Sequence, residues 1–353
     1  MSTYQALLST LVQSVDSNKA RLKVFAALIA GVIHCRNVNL SRLAAFQASE
    51  ALQESQYRKL QRFFEQWLLP WEAIAKLTLL KIPKPRKGYL LSMDRTNWKF
   101  GKTHINILTI GIVVGKVAVP IVWFTLPQST KRGNSNGRHR ILLVKRLLKV
   151  MPADDIAVLT LDREFNGFNW LKFLNDKDIT WVLRIKKNTK INGIHASKIN
   201  GNSSQKMSIW GLELYFGSKK INNGRTSHLY VVSNKLPPNK ALKSYKKRWA
   251  IEVLFGHLKK KGFNLESTHL RERRRIDKLV AVLALAFLYT LGWGVLLKQK
   301  MSKLTAHQKR KSVFRLALDL LAESFSDPDR NRLKIKEFND WILSSNAIVN
   351  FVV

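Results

Sequence analysis

The residues from Leu279 to Leu297 constrain this chain more than any others. They carry no charge, and they lie between Arg271-Glu-Arg-Arg-Arg275 and Lys298-Gln-Lys300. A helix of that length and apolarity either crosses a membrane or is buried on all sides in protein. The segment also holds Tyr289, Thr290, Gly292 and Gly294, which an interior helix accommodates, so burial is the expectation. Covering such a helix takes a large core. A chain of 353 residues with 46% apolar content supplies one and has room for two or three domains.

Charge narrows the function. There are 61 Lys and Arg against 23 Asp and Glu, a net charge of +38. Solvation does not need that imbalance, and self-repulsion makes it costly. The partner it implies is a polyanion, nucleic acid before an anionic membrane. The cations run the whole length of the chain and predict several contact surfaces. A single cysteine, Cys35, excludes an intrachain disulfide and fits a reducing compartment. The eight histidines show no paired spacing, so no zinc site is expected. The start, Met-Ser-Thr-Tyr-Gln, lacks the basic and apolar regions of a signal peptide.

Residues 1–80 read as helices, with apolar residues at helical spacing over Leu22–Ile33, a capping Asn39 ahead of a second helix, and Gln56–Leu69 alternating basic and apolar positions. Ser41, Arg42, Tyr57, Arg58, Lys59 and Arg62 would then form a helical reader of DNA ends. Residues 81–88, with two prolines, a glycine and four cations, read as a linker. From 89 to 300 the pattern is α/β. Strands are expected at 89–93, 106–114, 117–124, 156–161, 180–185 and 228–233, and helices at 140–150 and 168–176. Gln128–His139 is a polar loop, and a β-rich insertion falls at about 188–227. Residues 301–353 read as a basic helical region, suited to dimerisation or DNA contact, with an apolar end at Ile348–Val353.

The chemistry concentrates in Tyr245–Lys261. This stretch has no proline and predicts one helix from Lys240 to Lys261. Tyr245, Arg248, Glu252 and Lys259 fall on one stripe of it, flanked by Trp249 and Val253 on one side and Ile251, Leu254, Phe255 and Leu258 on the other. One carboxylate among cations suits a metal ion beside phosphate. Upstream, the strand 89–93 ends at Asp94 in Ser-Met-Asp-Arg-Thr-Asn-Trp, and the strand 156–161 ends at Asp162 in Leu-Thr-Leu-Asp-Arg-Glu-Phe. Ligands gather at strand ends in α/β sheets. Glu164 is read as the cap of the next helix.

Three carboxylates on a β-β-β-α-β-α-β-α frame resemble the ribonuclease-H-like fold of DDE transposases. More narrowly, Tyr-(2)-Arg-(3)-Glu-(6)-Lys and the Asp-Arg-Glu-Phe context are similar to the IS4 family of bacterial insertion-sequence transposases. The likeness runs from about residue 20 to 300. It implies a ribonuclease-H-like mixed sheet flanked by helices, with helical regions on either side. It implies cut-and-paste transposition through a DNA hairpin and strand transfer. Asp94, Asp162 and Glu252 would be catalytic and would hold two Mg2+ ions, with Mn2+ as substitute, about 4 Å apart. Tyr245, Arg248 and Lys259 would hold end phosphates, Arg248 also positioning Glu252. Arg184 and Lys186 would lie along the transferred strand, and Arg58 and Arg62 would serve the N-terminal reader. A flipped base would stack on Trp210, Tyr215 or Phe216, because no tryptophan opens the strand at His228 as in the best-known relatives. The partners implied are double-stranded DNA, the element's terminal inverted repeats and target DNA, bound by a homodimer in the bacterial cytoplasm at the nucleoid. The competing readings are another metal-dependent nuclease of the same fold, such as a junction resolvase, and a non-enzymatic basic protein anchored in a membrane by Leu279–Leu297.

Overall fold

The computed structural model describes residues 1–47, 52–127, 135–199, 201–202, 205–222, 226–299 and 305–344. Part of the expected polar loop (128–134) and the apolar chain end (348–353) lie outside the described residues. Contacts group the chain into two compact units. One takes in Met1–Pro83, Trp98–Thr103 and Phe255–Val353, the other Lys84–Asn97 and His104–Leu254. This division is not the linear one read at residues 80, 88 and 300, because the chain leaves the helical unit and returns to it.

Five helices come first: α1 (Thr3–Ser14), α2 (Lys19–Cys35), α3 (Leu40–Gln47), α4 (Gln53–Gln66) and α5 (Trp71–Lys81). Local chemistry starts them. Ser2 and Gln5 form a capping box on α1, and the Asn18 side chain caps α2. Asn39 Oδ1 accepts from the Ser41 N–H at the start of α3. Lys81 and Ile82, placed in a linker by the sequence, are both buried, and Lys81 is the last residue of α5.

The second unit is built on β1 (Tyr89–Phe100), β2 (Thr103–Val114) and β3 (Val117–Thr125), then α6 (Gly137–Leu148), β4 (Ile156–Leu161), α7 (Phe168–Asp176) and β5 (Trp181–Arg184). A small hairpin, β6 (Lys190–Ile191) with β7 (Ile194–His195), precedes β8 (Met207–Ile209), β9 (Leu212–Asn222) and β10 (Thr226–Ser233). Two helices close it, α8 (Pro238–Lys246) and α9 (Trp249–Leu258). The sheet order is β3-β2-β1-β4-β5-β10-β9-β8. β1, β4 and β5 run parallel, while β3 is antiparallel to β2 and β10 antiparallel to both β5 and β9. This mixed sheet with flanking helices is the ribonuclease-H-like architecture expected. The β-rich insertion is not separate from it, since β8 and β9 lengthen the same sheet beyond β10.

Two expectations change here. β1 does not stop at Asp94. It continues to Phe100 with Thr96 and Trp98 buried and Asn97 and Lys99 exposed, the alternation of a half-buried strand. The helix expected from Lys240 to Lys261 is broken. At the join the bonds shorten to three-residue spacing, from Lys247 N to Ser244 O (3.1 Å), Arg248 N to Tyr245 O (2.9 Å) and Ile251 N to Arg248 O (3.1 Å). That is a tight 3₁₀-like turn between two α-helices.

The chain then supplies α10 (Arg273–Gln299), α11 (Ala306–Arg310), α12 (Val313–Ser326) and α13 (Arg332–Leu343) to the helical unit. α10 contains the uncharged run. It packs against α2, α4, α5, α12 and α13, and its side chains from Leu279 to Val295 are buried. Its apolarity is that of a core helix, although by length and composition alone it would also cross a membrane. Gly292 and Gly294 let neighbours approach closely: a Cβ at either would collide with the Trp341 ring or with Val313, and the Trp341 indole donates to Tyr289 O at 3.0 Å. Two buried lysines cap helix ends. Lys278 donates to Phe64 O and Glu65 O at the end of α4, and Lys81 to Trp341 O and Ile342 O at the end of α13.

His257 of α9 gives this unit a pH dependence. It lies 4.5 Å from the Phe314 ring and 6.0 Å from Phe287, with a buried Nδ1 that finds no partner among the described residues. Burial, followed by the positive charges of Lys261 and Arg315, pushes its pKa down to about 4. The unfolded chain takes up a proton near pH 6.5, which the folded chain refuses. Stability should therefore be complete above pH 6.5 and fall between 6.5 and 4, by about 3 kcal/mol at most. Melting curves across that window check it, and His257→Phe should flatten the slope by this group's share.

Candidate active site

Strand register builds the site. β1 and β4 pair in parallel up to Met93 opposite Leu161, so the next residues, Asp94 and Asp162, emerge side by side where the two strands part. Two residues earlier on each strand, and hence on the same face, stand Ser92 and Thr160. Their buried hydroxyls share a 2.6 Å hydrogen bond, and Thr160 also donates to Leu91 O at 3.0 Å. The strands are thus clamped directly beneath the aspartates.

α8 and α9 bring the other side chains. The Tyr245 hydroxyl donates to Asp162 Oδ1 at 2.9 Å. The Arg248 guanidinium donates to Asp94 Oδ2 at 2.9 Å and also to Glu252 Oε1. The turn at residues 247–248 is what lets one arginine reach an upstream strand and its own helix together. Arg184, the last residue of β5, places its Nη1 3.9 Å from Asp162 Oδ1. Asp94, Asp162, Tyr245, Arg248, Glu252 and Arg184 therefore meet in one place.

The remaining predicted residues are elsewhere. Lys186 is exposed just past β5. Lys259 follows α9 in the helical unit and pairs with Glu266 at 2.9 Å. Arg58 and Arg62 are exposed on α4, with Arg58 bound to Glu54. Trp249, expected as a buried flank, is 62% exposed, because the break in the helix turns α9 relative to the stripe. Of the three aromatics considered for a flipped base, Phe216 is fully buried against Tyr230, while Trp210 and Tyr215 are partly exposed.

The electrostatics are dominated by burial. Burial pushes the Asp94 carboxyl up to about 6, against the lowering pull of Arg248 and of the Arg95 N–H, while Asp162 and Glu164 push it further up. Burial also raises the Tyr245 hydroxyl, and neighbouring Asp162 raises it more. For Arg248 burial works against the charge, but Tyr245, Asp162, Asp94 and the hydrogen bond to Glu252 outweigh it. The oxygen donors of Asp94, Asp162 and Glu252 suit a hard divalent cation. Arg248 now stands between Asp94 and Glu252, and among the described residues no three acidic, histidine or cysteine side chains already close on a common metal position.

Sequence reasoning missed the support around the aspartates. Glu164 caps no helix. It pairs with Arg95 at 3.3 Å, and Arg95 also donates to Asn106 Oδ1 at 2.6 Å and, through its backbone, to Asp94 Oδ1 at 2.7 Å. Buried Arg140 donates to the carbonyls of Ser135, Glu164 and Asn166. The signal was present: an arginine directly follows each aspartate, and Glu164 lies two residues past the second.

A family model, the transposase DDE domain, matches residues 78–289, more than half of the chain. The chain belongs to the DDE transposase family. No curated protein matches it. Transposase DDE domains act on DNA and use divalent metal ions, and in this transposase the matched span contains all six side chains that meet at the site.

Arg248 is the residue on which this arrangement most depends. Arg248→Ala leaves a buried carboxylate without its partner, which costs about 3 kcal/mol and should cut DNA cleavage about a hundredfold. Arg248→Lys should recover only part, since an ammonium cannot serve both carboxylates as a planar guanidinium does. Thermal melts and single-turnover cleavage check both halves, and equal activity in the lysine variant would remove the bridging role.

Proposed function

We propose that this DDE transposase is an IS4-type insertion-sequence enzyme that excises its element by cut and paste. The observation that carries the proposal is the side-by-side emergence of Asp94 and Asp162 from parallel β1 and β4, with Glu252 joined to Asp94 through Arg248. Asp94, Asp162 and Glu252 would hold two Mg2+ ions, or Mn2+ in their place. When bound, these ions make water or a 3′-hydroxyl a stronger nucleophile and stabilise the leaving oxygen.

The chain's own side chains do the rest. Tyr245 fixes the orientation of Asp162 by donating to it. Arg248 holds Asp94 and Glu252 together and would contribute positive charge where phosphate arrives. Arg184, and Lys186 just beyond it, lie at the end of β5 nearest Asp162 and would follow the DNA strand away from the cleft. Lys259, with exposed Arg58 and Arg62, would contact DNA phosphates. A hairpin intermediate needs an aromatic surface for an extruded base; Trp210, Tyr215 and exposed Trp249 are the candidates, and buried Phe216 is not. The partners are the element's terminal inverted repeats and target DNA, held by a homodimer, and the place of action is the bacterial cytoplasm at the nucleoid. The helices of residues 1–80 would read the ends, and residues 301–353 would serve the dimer or DNA.

The test is excision from a donor plasmid that carries the DNA flanking the coding region. Expected are a double-strand break at the repeat boundaries and a covalently closed hairpin on one side, seen as a band that stays double-length on a denaturing gel. Nicking at the boundaries without a hairpin would remove the IS4-type pathway. Cutting without regard to the repeats would favour a nuclease of another kind.

A further inference from the structure

The helical unit carries a groove that takes in Ser41 and Tyr57 of the expected reader and extends past them to chain segments with no role assigned so far. It runs through three adjoining depressions. Ser41 and Tyr57 are shared by the first two, and His269, Leu270 and Arg275 by the last two. Its walls come from three separate pieces of chain: α3 with α4, the junction of β1 and β2 (Trp98–Thr103), and the segment leading into α10, all within one unit.

At its far end Phe100, the last residue of β1, is held on two sides. The His269 ring stacks on it at 5.2 Å and 29°, and the Arg271 guanidinium lies over it at 4.9 Å. His269 and Arg271 are themselves exposed. Such a stack fixes the direction of a guanidinium and leaves its N–H donors for an outside acceptor. Ser41, Tyr57 and Gln61, which line the groove, present hydroxyls and an amide, which can both donate and accept.

The same pieces of chain are positive. Arg42, Arg62, Lys99, Lys102, Arg273 and Arg274 are exposed on them. The nearby carboxylates are already taken: Glu54 by Arg58, and both Glu65 and Glu272 by Arg275. Cations beside neutral donors and acceptors are what a duplex needs, because phosphates supply affinity and base edges supply selectivity.

We propose that this groove is a composite DNA-reading surface that binds the element's terminal repeat. Arg271, held over Phe100, grips the backbone or a guanine edge, and Ser41, Tyr57 and Gln61 face the bases. End recognition then belongs to the α3–α4 helices together with the β1–β2 junction and residues 269–275. The proposal rests on the reading of this DDE transposase as an end-binding enzyme.

The test uses the full-length protein without divalent ions, so that no DNA is cut. Fluorescence anisotropy compares a labelled terminal-repeat duplex with a shuffled duplex of equal composition over a salt series. Arg271→Ala should weaken binding to the repeat about tenfold and lower the salt slope by about one. Tyr57→Phe with Gln61→Ala should reduce the preference for the repeat about tenfold while the salt slope stays near wild type. Phe100→Leu keeps every charge, yet should show much of the Arg271→Ala loss, and Phe100→Tyr should behave as wild type. If the wild type prefers its repeat and all these variants match it in affinity, slope and preference, the groove is not the reading surface. If the wild type shows no preference, the end-binding reading itself fails, and the groove proposal falls with it.

Discussion

Asp94→Asn, Asp162→Asn and Glu252→Gln should each slow end cleavage about a thousandfold or more and leave DNA affinity within a few fold of wild type. Each change removes a charged oxygen from the proposed ion-holding set, and a bound ion's stabilisation of developing charge is worth several kcal/mol. About 4 kcal/mol corresponds to that rate loss. The changes are close to isosteric, so folding should survive. Asn at 162 still accepts from Tyr245. Asn at 94 keeps an oxygen that can accept from Arg248, and Glu252 still pairs with that guanidinium, so any loss of melting temperature should be small. Single-turnover cleavage on an end-labelled duplex, with anisotropy for binding, separates the two effects. Cleavage within tenfold of wild type in any variant would remove that residue from the triad.

Deleting residues 1–80 should leave no soluble, folded remainder. Read along the sequence, an N-terminal helical segment followed by a proline-rich stretch looks detachable. In the structure α10 packs against α2, α4 and α5, and Lys278 caps α4. α2 alone buries Leu22, Val24, Phe25, Leu28, Ile29, Val32 and Ile33. At about 1.5–3 kcal/mol for each large apolar side chain, losing that cover exceeds the ~5–15 kcal/mol by which a domain is usually stable. The exposed face of α10 would then drive aggregation. Size-exclusion chromatography and thermal melts of residues 81–353 decide the matter. A monodisperse fragment with a cooperative transition would contradict this account of the helical core.

What the sequence revealed and what it hid follow from the range of the forces involved. β2 and β3 could be read because their apolar runs flank a Gly-Lys turn, and α7 because its periodicity is local. That Asp94, Asp162, Tyr245, Arg248 and Glu252 meet could be read because strand ends and residue spacing are local too. The break at Lys247–Arg248 contains no glycine or proline. It accompanies a side chain that reaches Asp94 from more than a hundred residues away, and no local pattern records that. The same break exposes Trp249, which the helical stripe alone would bury. Glu164 reads as a cap from sequence because its partner, Arg95, lies on a distant strand. The extension of β1 to Phe100 was legible in the alternation of Thr96 to Phe100, but the aspartate ahead of it looked like a terminus. The uncharged stretch 279–297 required burial, yet only tertiary packing names the helices that bury it.

The most direct measurement is cleavage of an end-labelled duplex carrying the terminal repeat and its flanking DNA, by full-length protein, in the presence of Mg2+, Mn2+, Ca2+ or chelator. The account predicts a cut at the repeat boundary with Mg2+ and Mn2+, binding without a cut in Ca2+, no cut with chelator, and none with Glu252→Gln under any condition. A cut at the boundary in chelator, or one that persists in the Glu252 variant, would contradict the assignment of Asp94, Asp162 and Glu252 as a metal-dependent cutting site.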